Sequence, residues 1–300
     1  MIQIGVYGLG KISRRVILGI KYASNAQLYA LCSSSLEKAR AFQEEHGAKK
    51  VYTDYEEMLQ DTNLDLVYIC TPNYLHAQHI EKALMHHKHV LCEKPMCVTS
   101  NELNSCFDLA YQQNCFLMEA HKTVFTPLNQ LIFQRIRSGE IGKVKSIDAQ
   151  YASQLNEKIS DWHYHKPGAG CMFDIGVYPI CYANYMANSP IKHSTRYQEE
   201  ALIEYESGCV AHIATSWQAN MENTAHIYGT KGMIVCKNFW KNTEAYINNE
   251  KVEVSMHSDF TGEIEHACAC IEKGWIESPV LSRMASLEIL KVIENNATEN

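Results

Sequence analysis

The sequence has twelve cysteines but no Cys-x-x-Cys pair, the spacing that zinc ribbons and thiol-redox sites use. Cys268 and Cys270 stand closer still, at a spacing that reads as part of a helix. Most of the others, such as Cys32, Cys70, Cys92 and Cys236, lie inside apolar runs, where a free thiol behaves as a small buried hydrophobe. A membrane-length apolar run is also missing. The longest uncharged stretch, 175–191, holds two prolines, three tyrosines and two asparagines, which excludes a span. Basic charge is not in surplus: the net charge of -7 argues against a polyanion as the main partner. No basic leader precedes the first apolar run at 2–7, so a reducing cytoplasm is the expected location. Internal repeats and low-complexity segments are absent. What is present is ordinary for a globular chain: 300 residues, 46% hydrophobic and 20% charged. That length suits two domains or one large one, with a core that needs no disulfide or metal staples.

The first part of the chain alternates strand and helix signals. Short apolar or β-branched runs at 2–7, 28–32, 66–70, 89–92 and 116–118 suit strands buried on both faces of a parallel sheet. Ile12, Val16, Ile17 and Ile20 recur at helical spacing between them, as do Leu75, His79, Ile80 and Ala83. Ser35 is placed to cap a helix through 45, and Thr99 another through 112. The pattern predicts a doubly wound α/β domain over 1–120. It changes near 119–127. One more helix, 128–138, ends at Gly139, and alternating, half-exposed strands follow at 145–151, 201–205, 209–217, 224–228, 233–237 and 245–247. In the first of these, Ile147, Ala149 and Tyr151 share one face. Closing helices are expected over 262–273 and 282–295. The second domain, 121–300, is thus expected to be α+β, built on a large open, mostly antiparallel sheet, and to serve substrate binding and oligomerisation.

The first strand runs into Gly8-Leu9-Gly10-Lys11-Ile12-Ser13, a G-x-G-x-x-S turn that opens a helix. Two glycines permit the tight turn and the close approach of a pyrophosphate, and the helix N-terminus offers N–H groups and positive potential to it. The second strand has no acid at its end, where NAD binding would use one for the ribose 2′-hydroxyl. Instead it ends Cys32-Ser-Ser-Ser35, and no acid comes before Glu37. Ser33 and Ser34, with Lys38 and Arg14, suit the 2′-phosphate of NADP better. The competing reading is that these serines only cap the next helix.

Three further stretches raise the signal: Tyr68-Ile-Cys-Thr-Pro-Asn73 with His76, Val90-Leu-Cys-Glu-Lys-Pro95, and Gly168-Ala-Gly-Cys-Met-Phe-Asp-Ile-Gly-Val-Tyr178. In this order the chain resembles the glucose–fructose oxidoreductase / inositol dehydrogenase / MocA (Gfo/Idh/MocA) family. Its D-x-G-x-Y form is similar to the branch holding dimeric dihydrodiol dehydrogenase. The resemblance continues through Ile227-Tyr-Gly-Thr-Lys-Gly232, Phe239-Trp240 and Glu263-Ile-Glu-His266, and so covers nearly the whole chain. It implies a Rossmann domain, a nicotinamide cofactor, hydride transfer to or from a sugar, polyol or cyclic diol, a substrate held between the domains, and a homo-oligomer formed through the C-terminal sheet. It implies too that Gly8, Gly10, Lys11, Ile12, Thr71, Pro72, Asn73, His76, Glu93 and Lys94 border the cofactor. Lys94 would lie at the reacting oxygen, Tyr178 would be the acid/base, and Asp174 its companion.

The chemistry suits these residue types. Hydride transfer to a carbonyl leaves an alkoxide, and an oriented acid/base contributes roughly 10²–10⁴ in rate. A phenol is a poor base at neutral pH until a nearby ammonium stabilises its anion. Read without the family, Glu93 and Lys94 are an ordinary solvated pair, and Asp174 caps a helix beginning at Ile175 with Pro179 in its first turn. Where dihydrodiol-type relatives place Arg before Phe, this chain has Val124, so His121 and Lys122 are the substrate-facing candidates. Trp162 and His163 are others, with an exposed loop as the alternative. His76-x-x-His79 and the cluster His86, His87, His89 invite a metal, but no third ligand stands at the right spacing and none is expected. A nicotinamide-binding sensor without turnover is the rival reading, since fold alone does not fix function.

Overall fold

The computed structural model describes residues 1–154 and 162–295. These divide into two compact units, Met1–Ala120 with His257–Ser286, and the described residues of 121–256 with 287–295.

The first unit is built on a six-stranded parallel sheet of order β3-β2-β1-β4-β5-β6. Its strands are β1 (Ile2–Tyr7), β2 (Ala26–Cys32), β3 (Lys50–Tyr52), β4 (Leu66–Ile69), β5 (His89–Glu93) and β6 (Leu117–Ala120). Helices α1 (Lys11–Tyr22), α2 (Leu36–His46), α3 (Tyr55–Leu59), α4 (His76–Met85) and α5 (Ser100–Gln113) connect them. All four residues of β4 are buried, as a strand covered on both faces requires. Ser35 caps α2 by accepting from the Lys38 N–H at 3.2 Å, and Thr99 caps α5 by accepting from the Glu102 N–H at 3.2 Å. The strand order reverses between β1 and β4, which sets their C-terminal ends side by side at the switch point of the sheet.

The expected division put 257–286 in the second domain, but this segment packs in the first unit. Its helix α9 (Thr261–Glu272) lies against α1. A Cβ on Gly19 would stand 2.6 Å from the Phe260 Cβ, so only glycine lets the helices close to this distance. The Ser24 amide and hydroxyl both donate to Glu265 Oε1 at 2.8 Å, and the Leu117 N–H donates to the Ile276 carbonyl at 2.9 Å.

The second unit carries an eight-stranded sheet of order β14-β13-β12-β11-β7-β10-β9-β8. These are β7 (Val144–Ala152), β8 (Ile191–Tyr197), β9 (Glu200–Tyr205), β10 (Val210–Ser216), β11 (Thr224–Gly229), β12 (Met233–Lys237), β13 (Glu244–Ile247) and β14 (Glu250–Glu253). The pairs are antiparallel except β7 with β10. Helices α6 (Pro127–Arg137), α7 (Trp162–His165) and α8 (Val177–Ala187) belong to this unit, and α10 (Arg283–Glu294) closes the described chain. One face of the sheet, with Ile147, Ala149, Ile213 and Ile227 in register, is buried, and α8 packs across β7. The other face carries Asp148 between His212 and His226, with Leu202 and Tyr246 exposed in the same row.

Candidate functional site

In the first unit the strand ends gather most of the expected cofactor residues. Gly8 adopts φ +92°, and its N–H donates to the Cys32 carbonyl at 3.1 Å. A Cβ there would sit 2.9 Å from the backbone of Cys70, so the turn demands glycine both conformationally and sterically. Gly10 is the N-cap of α1 and supplies no side-chain bond; the first turn holds no acid, and a Cβ on Gly10 would meet no protein atom within 4 Å. The N-terminal amides of α1 thus face an open position of positive potential, which fits the pyrophosphate of a dinucleotide. Lys11 is exposed and Ile12 half-buried beside it.

At the end of β2, Ser33 is buried and its hydroxyl accepts from the Ser35 N–H at 3.4 Å, while Ser34 and Lys38 are exposed. The capping role of Ser35 is real; Ser34, Glu37 and Lys38 are exposed beside it at this corner. Arg14 is engaged elsewhere: it pairs with Glu45 at 3.0 Å and lies over the Phe42 ring. The Cys32 thiol is pushed up to about 12 by burial, then by Asp54 and Glu57, and stays protonated.

Thr71, Pro72 and Asn73 follow β4, with His76 opening α4. The His76 ring lies between two carbonyls, Pro95 at 2.9 Å from Nδ1 and Thr71 at 2.7 Å from Nε2. Burial lowers its pKa to about 4 against those two bonds, and the charge of Lys94 lowers it further. The neutral ring has one N–H, so it donates to one carbonyl at a time. His79 is likewise lowered to about 4 by burial, and its Nδ1 meets the Thr71 hydroxyl at 2.9 Å. His76 ties the β4 and β5 strand-end loops together, and His79 adds a second hold on the β4 loop.

Glu93, the last residue of β5, is buried and accepts from the Tyr68 hydroxyl at 3.1 Å; it is not the solvated partner of the family-free reading. Lys94 is half-buried, and the Lys94–Pro95 peptide is cis. Glu119, unremarked in the sequence, is enclosed at the end of β6 and accepts from the Met96 N–H at 3.0 Å. Burial raises its pKa, while Ser286, the Met96 amide and Lys94 act against the rise.

In the second unit Tyr178 lies on α8. The segment before it is a π turn, Met172–Gly176, in which the Val177 N–H reaches back to the Met172 carbonyl. The helical path therefore begins before Ile175, and Asp174 sits inside it rather than capping it. Pro179 explains the widening: it has no N–H for the Ile175 carbonyl, and its ring crowds that carbonyl. Gly168 and Gly170 take φ +72° and +101°, so the glycine run is needed for the turn into this helix. His121 is fully buried; its Nε2 donates to the Val177 carbonyl at 3.1 Å, and its ring meets Tyr178 edge-on at 5.4 Å. Lys122 is buried too. Both were expected to face substrate; the His121 bond to Val177 also holds the turn that carries Tyr178. Tyr151 meets Tyr178 edge-on at 5.6 Å and stacks on Trp240 at 3.7 Å. Neither was singled out as a site residue, although Tyr151 was placed with Ile147 and Ala149 on one face of its strand. His163 is half-buried, and the Trp162 side chain lies outside the described residues.

A Rossmann unit with an uncapped α1, joined in one chain to an open-sheet unit, has the architecture of a dinucleotide-binding protein. Residues 2–121 match the family described as "Oxidoreductase family, NAD-binding Rossmann fold", and residues 130–235 match the "GFO/IDH/MocA C-terminal domain". The chain belongs to this Gfo/Idh/MocA family, and its cofactor is a nicotinamide dinucleotide. Among curated relatives it is similar to trans-1,2-dihydrobenzene-1,2-diol dehydrogenase from Mus musculus, 28% identical over 97% of this chain and 94% of the relative. The same enzyme from Xenopus tropicalis is 28% identical over 98% and 96%. Among solved structures, a levoglucosan dehydrogenase in complex with NADH and levoglucosan superposes with a TM-score of 0.88 at 20% identity, covering 100% of this chain and 98% of that one. An aldose-aldose oxidoreductase from Caulobacter crescentus gives 0.86 at 22%, covering 98% and 95%. Among the described residues no helix is long and apolar enough to cross a membrane.

Proposed function

We propose that the chain oxidises or reduces a CH–OH carbon of a sugar, polyol or cyclic diol, and that it prefers NADP. The observation that carries the reading is the uncapped N-terminus of α1 at the switch point, with Thr71, Asn73, His76, Glu93 and Lys94 at neighbouring strand ends. The names of the relatives support the substrate class, since they act on a cyclic diol and on sugars. The preference for NADP rests on exposed Ser34 and Lys38 where a carboxylate would serve NAD. The bound dinucleotide supplies the hydride donor or acceptor. Tyr178 takes or returns the hydroxyl proton, steadied by Asp174 four residues earlier. Lys94 brings positive charge to the reacting oxygen. His121 and Tyr151 meet Tyr178 edge-on and Trp240 stacks on Tyr151, an aromatic cluster that suits a ring-shaped substrate.

Two coarser features belong to the same reading. The open face of the large sheet exposes Tyr197, Leu202, Tyr228 and Tyr246, and a second copy of the chain would cover it as a homo-oligomer. All twelve cysteines are buried and free, which suits a reducing cytoplasm. The test is a panel of polyols, sugars and cyclic diols with NADP and NAD, read by nicotinamide absorbance. Y178F and K94A are expected to lower turnover by about 10² or more while changing dinucleotide affinity far less. Native turnover in both variants rejects the assignment, and dinucleotide binding without turnover of any compound makes the protein a sensor.

A further inference from the structure

Beside the glycine turn of the first unit, three side chains form a polar chain whose direction of donation has a consequence for the cofactor. The His79 ring, on α4, has the Thr71 hydroxyl 2.9 Å from Nδ1 and the Tyr7 hydroxyl 3.5 Å from Nε2. Tyr7 ends β1 and Thr71 follows β4, so both hydroxyls stand at the C-terminal ends of the two strands at the switch point. Thr71 is half-buried, and its Cγ2 lies 3.0 Å from where a Cβ on Gly8 would stand. Its methyl is thus against the glycine turn and its hydroxyl against His79. Burial, then His76 and Lys82, lower the His79 pKa to about 4, so at neutral pH the ring is neutral. One of its nitrogens then donates and the other accepts.

We propose that His79 is a positioning residue for the dinucleotide: the Tyr7 phenol donates to Nε2, Nδ1–H donates to Thr71 Oγ1, and the Thr71 hydrogen is thereby kept for a dinucleotide oxygen. The phenol sets the direction. It can donate or accept, but its lone pairs are drawn into the ring, so it donates more strongly than it accepts. Burial, then Cys32 and Asp54, raise its pKa, so its hydrogen stays in place. The Tyr7 ring is itself held, stacked on Tyr55 at 3.9 Å between centroids and edge-on to His79 at 4.8 Å. The Tyr55 hydroxyl also donates to the His79 carbonyl at 3.1 Å, which anchors this residue independently of its ring. In the opposite tautomer Thr71 would spend its hydrogen on Nδ1 and offer only lone pairs. Phosphate oxygens are acceptors too, so that arrangement would repel the group that the open start of α1 favours. The inference deepens the cofactor reading above and rests on it for what the hydroxyl binds, although the tautomer itself does not.

The direct test is two-bond proton–nitrogen correlation spectroscopy of the protein labelled with nitrogen-15 histidine, at neutral pH, with the His79 signals identified by their loss in H79N. The expected ring is protonated on Nδ1 and bare on Nε2. A ring protonated on Nε2 overturns the proposal, whatever the variants do. Y7F leaves Nε2 without a donor and is expected to bring in the Nε2–H form; an unchanged tautomer overturns the part given to Tyr7. The functional arm is fluorescence titration with NADPH, after circular dichroism has shown each variant folded. T71V is expected to weaken binding about tenfold, as for one hydrogen bond to a charged group, and T71S to bind as the native protein does. H79L releases the hydroxyl among its staggered positions, so a loss of about threefold is expected. H79N, whose amide N–H replaces Nδ1–H, should recover it, and in a T71V background H79L should cost nothing further. T71V without effect, or H79L costing as much beside T71V as alone, overturns the positioning role. A ring protonated on Nδ1 in a protein that binds no dinucleotide leaves the tautomer standing and refutes the cofactor reading instead.

Discussion

Acidification gives a sharp test of how the histidine behind the β4 loop is held. His76 is 1% exposed between the Thr71 and Pro95 carbonyls, and burial brings its pKa from 6.5 to about 4. A histidine with a lowered folded value contributes stability that is fully present above the unfolded value and is lost as pH falls toward the folded one. From pH 8 to pH 5 an unfolded histidine becomes almost fully protonated while His76 stays mostly neutral, which costs about 2 kcal/mol by proton linkage. His79 and His266, also lowered to about 4 by burial, act in the same direction. The variant H76Q isolates the contribution of one ring, because glutamine keeps an N–H for one carbonyl and takes no proton. Urea unfolding at pH 8 and pH 5, followed by far-ultraviolet circular dichroism, measures it. The native protein is expected to lose about 2 kcal/mol more than H76Q over that interval. The structure contains its own counter-argument, since two carbonyl acceptors would both be satisfied only by an imidazolium. If those bonds outweighed burial, the native protein would instead gain on H76Q as the pH falls. That inversion, or parallel losses in the two proteins, would refute the reasoning.

Two other substitutions probe the first unit. Gly8→Ala places a Cβ 2.9 Å from the Cys70 carbonyl carbon and oxygen at φ +92°; a loss of about 1–2 kcal/mol in stability from the backbone conformation alone, and weaker NADPH binding, are expected by thermal melt and fluorescence titration. Asp61 accepts from the Tyr29, Tyr52 and Lys50 side chains at 2.8, 2.6 and 2.8 Å; burial raises its pKa, but these bonds and the Asn63 amide outweigh burial and hold it well below the usual carboxylate range. D61A is expected to cost about 3 kcal/mol near neutral pH, and the gap to the native protein should close as pH falls below about 3.9, where the unfolded carboxyl gains its proton; a gap independent of acid counts against it.

The elements legible in the sequence share a cause. β1 and β12 fall where their apolar runs predicted, and Ser35 and Thr99 make the capping bonds their positions implied, because local chemistry dictates each of them. The strands that were not foreseen, β3, β8 and β14, all lie at sheet edges. An edge strand has one partner and carries polar residues rather than an apolar run, as in Glu-Lys-Val-Glu of β14. The parallel pairing of β7 with β10 depends on connectivity, which alternation does not encode. In the site, Gly8 and Gly10 were legible because a backbone requirement selects glycine. The links from Tyr68 to Glu263 and from His121 to Val177 were not, since they join residues 195 and 56 positions apart. His121 and Lys122 were put forward because Val124 stands where dihydrodiol-type relatives place Arg; that both are buried was not legible in the sequence.

Where specific side chains are required follows from the same contrast. A TM-score of 0.88 at 20% identity means that most of the interior asks only for apolar volume in the right pattern. The phosphate cradle asks for backbone: a positive φ at Gly8 and an uncapped helix start at Gly10, neither of which depends on a functional group. Groups such as Glu119, His76 and Glu263 are different. Each is buried and tied to a particular donor or acceptor, so replacing one strands its partner at a cost of about 1–3 kcal/mol per unsatisfied group. These groups converge on the loops around Lys94: Met96 is held by Glu119, Pro95 lies against His76, and Glu93 is held through Tyr68. The precision of the strand end that presents Lys94 therefore comes from buried polar contacts on three sides, which apolar packing alone would not supply.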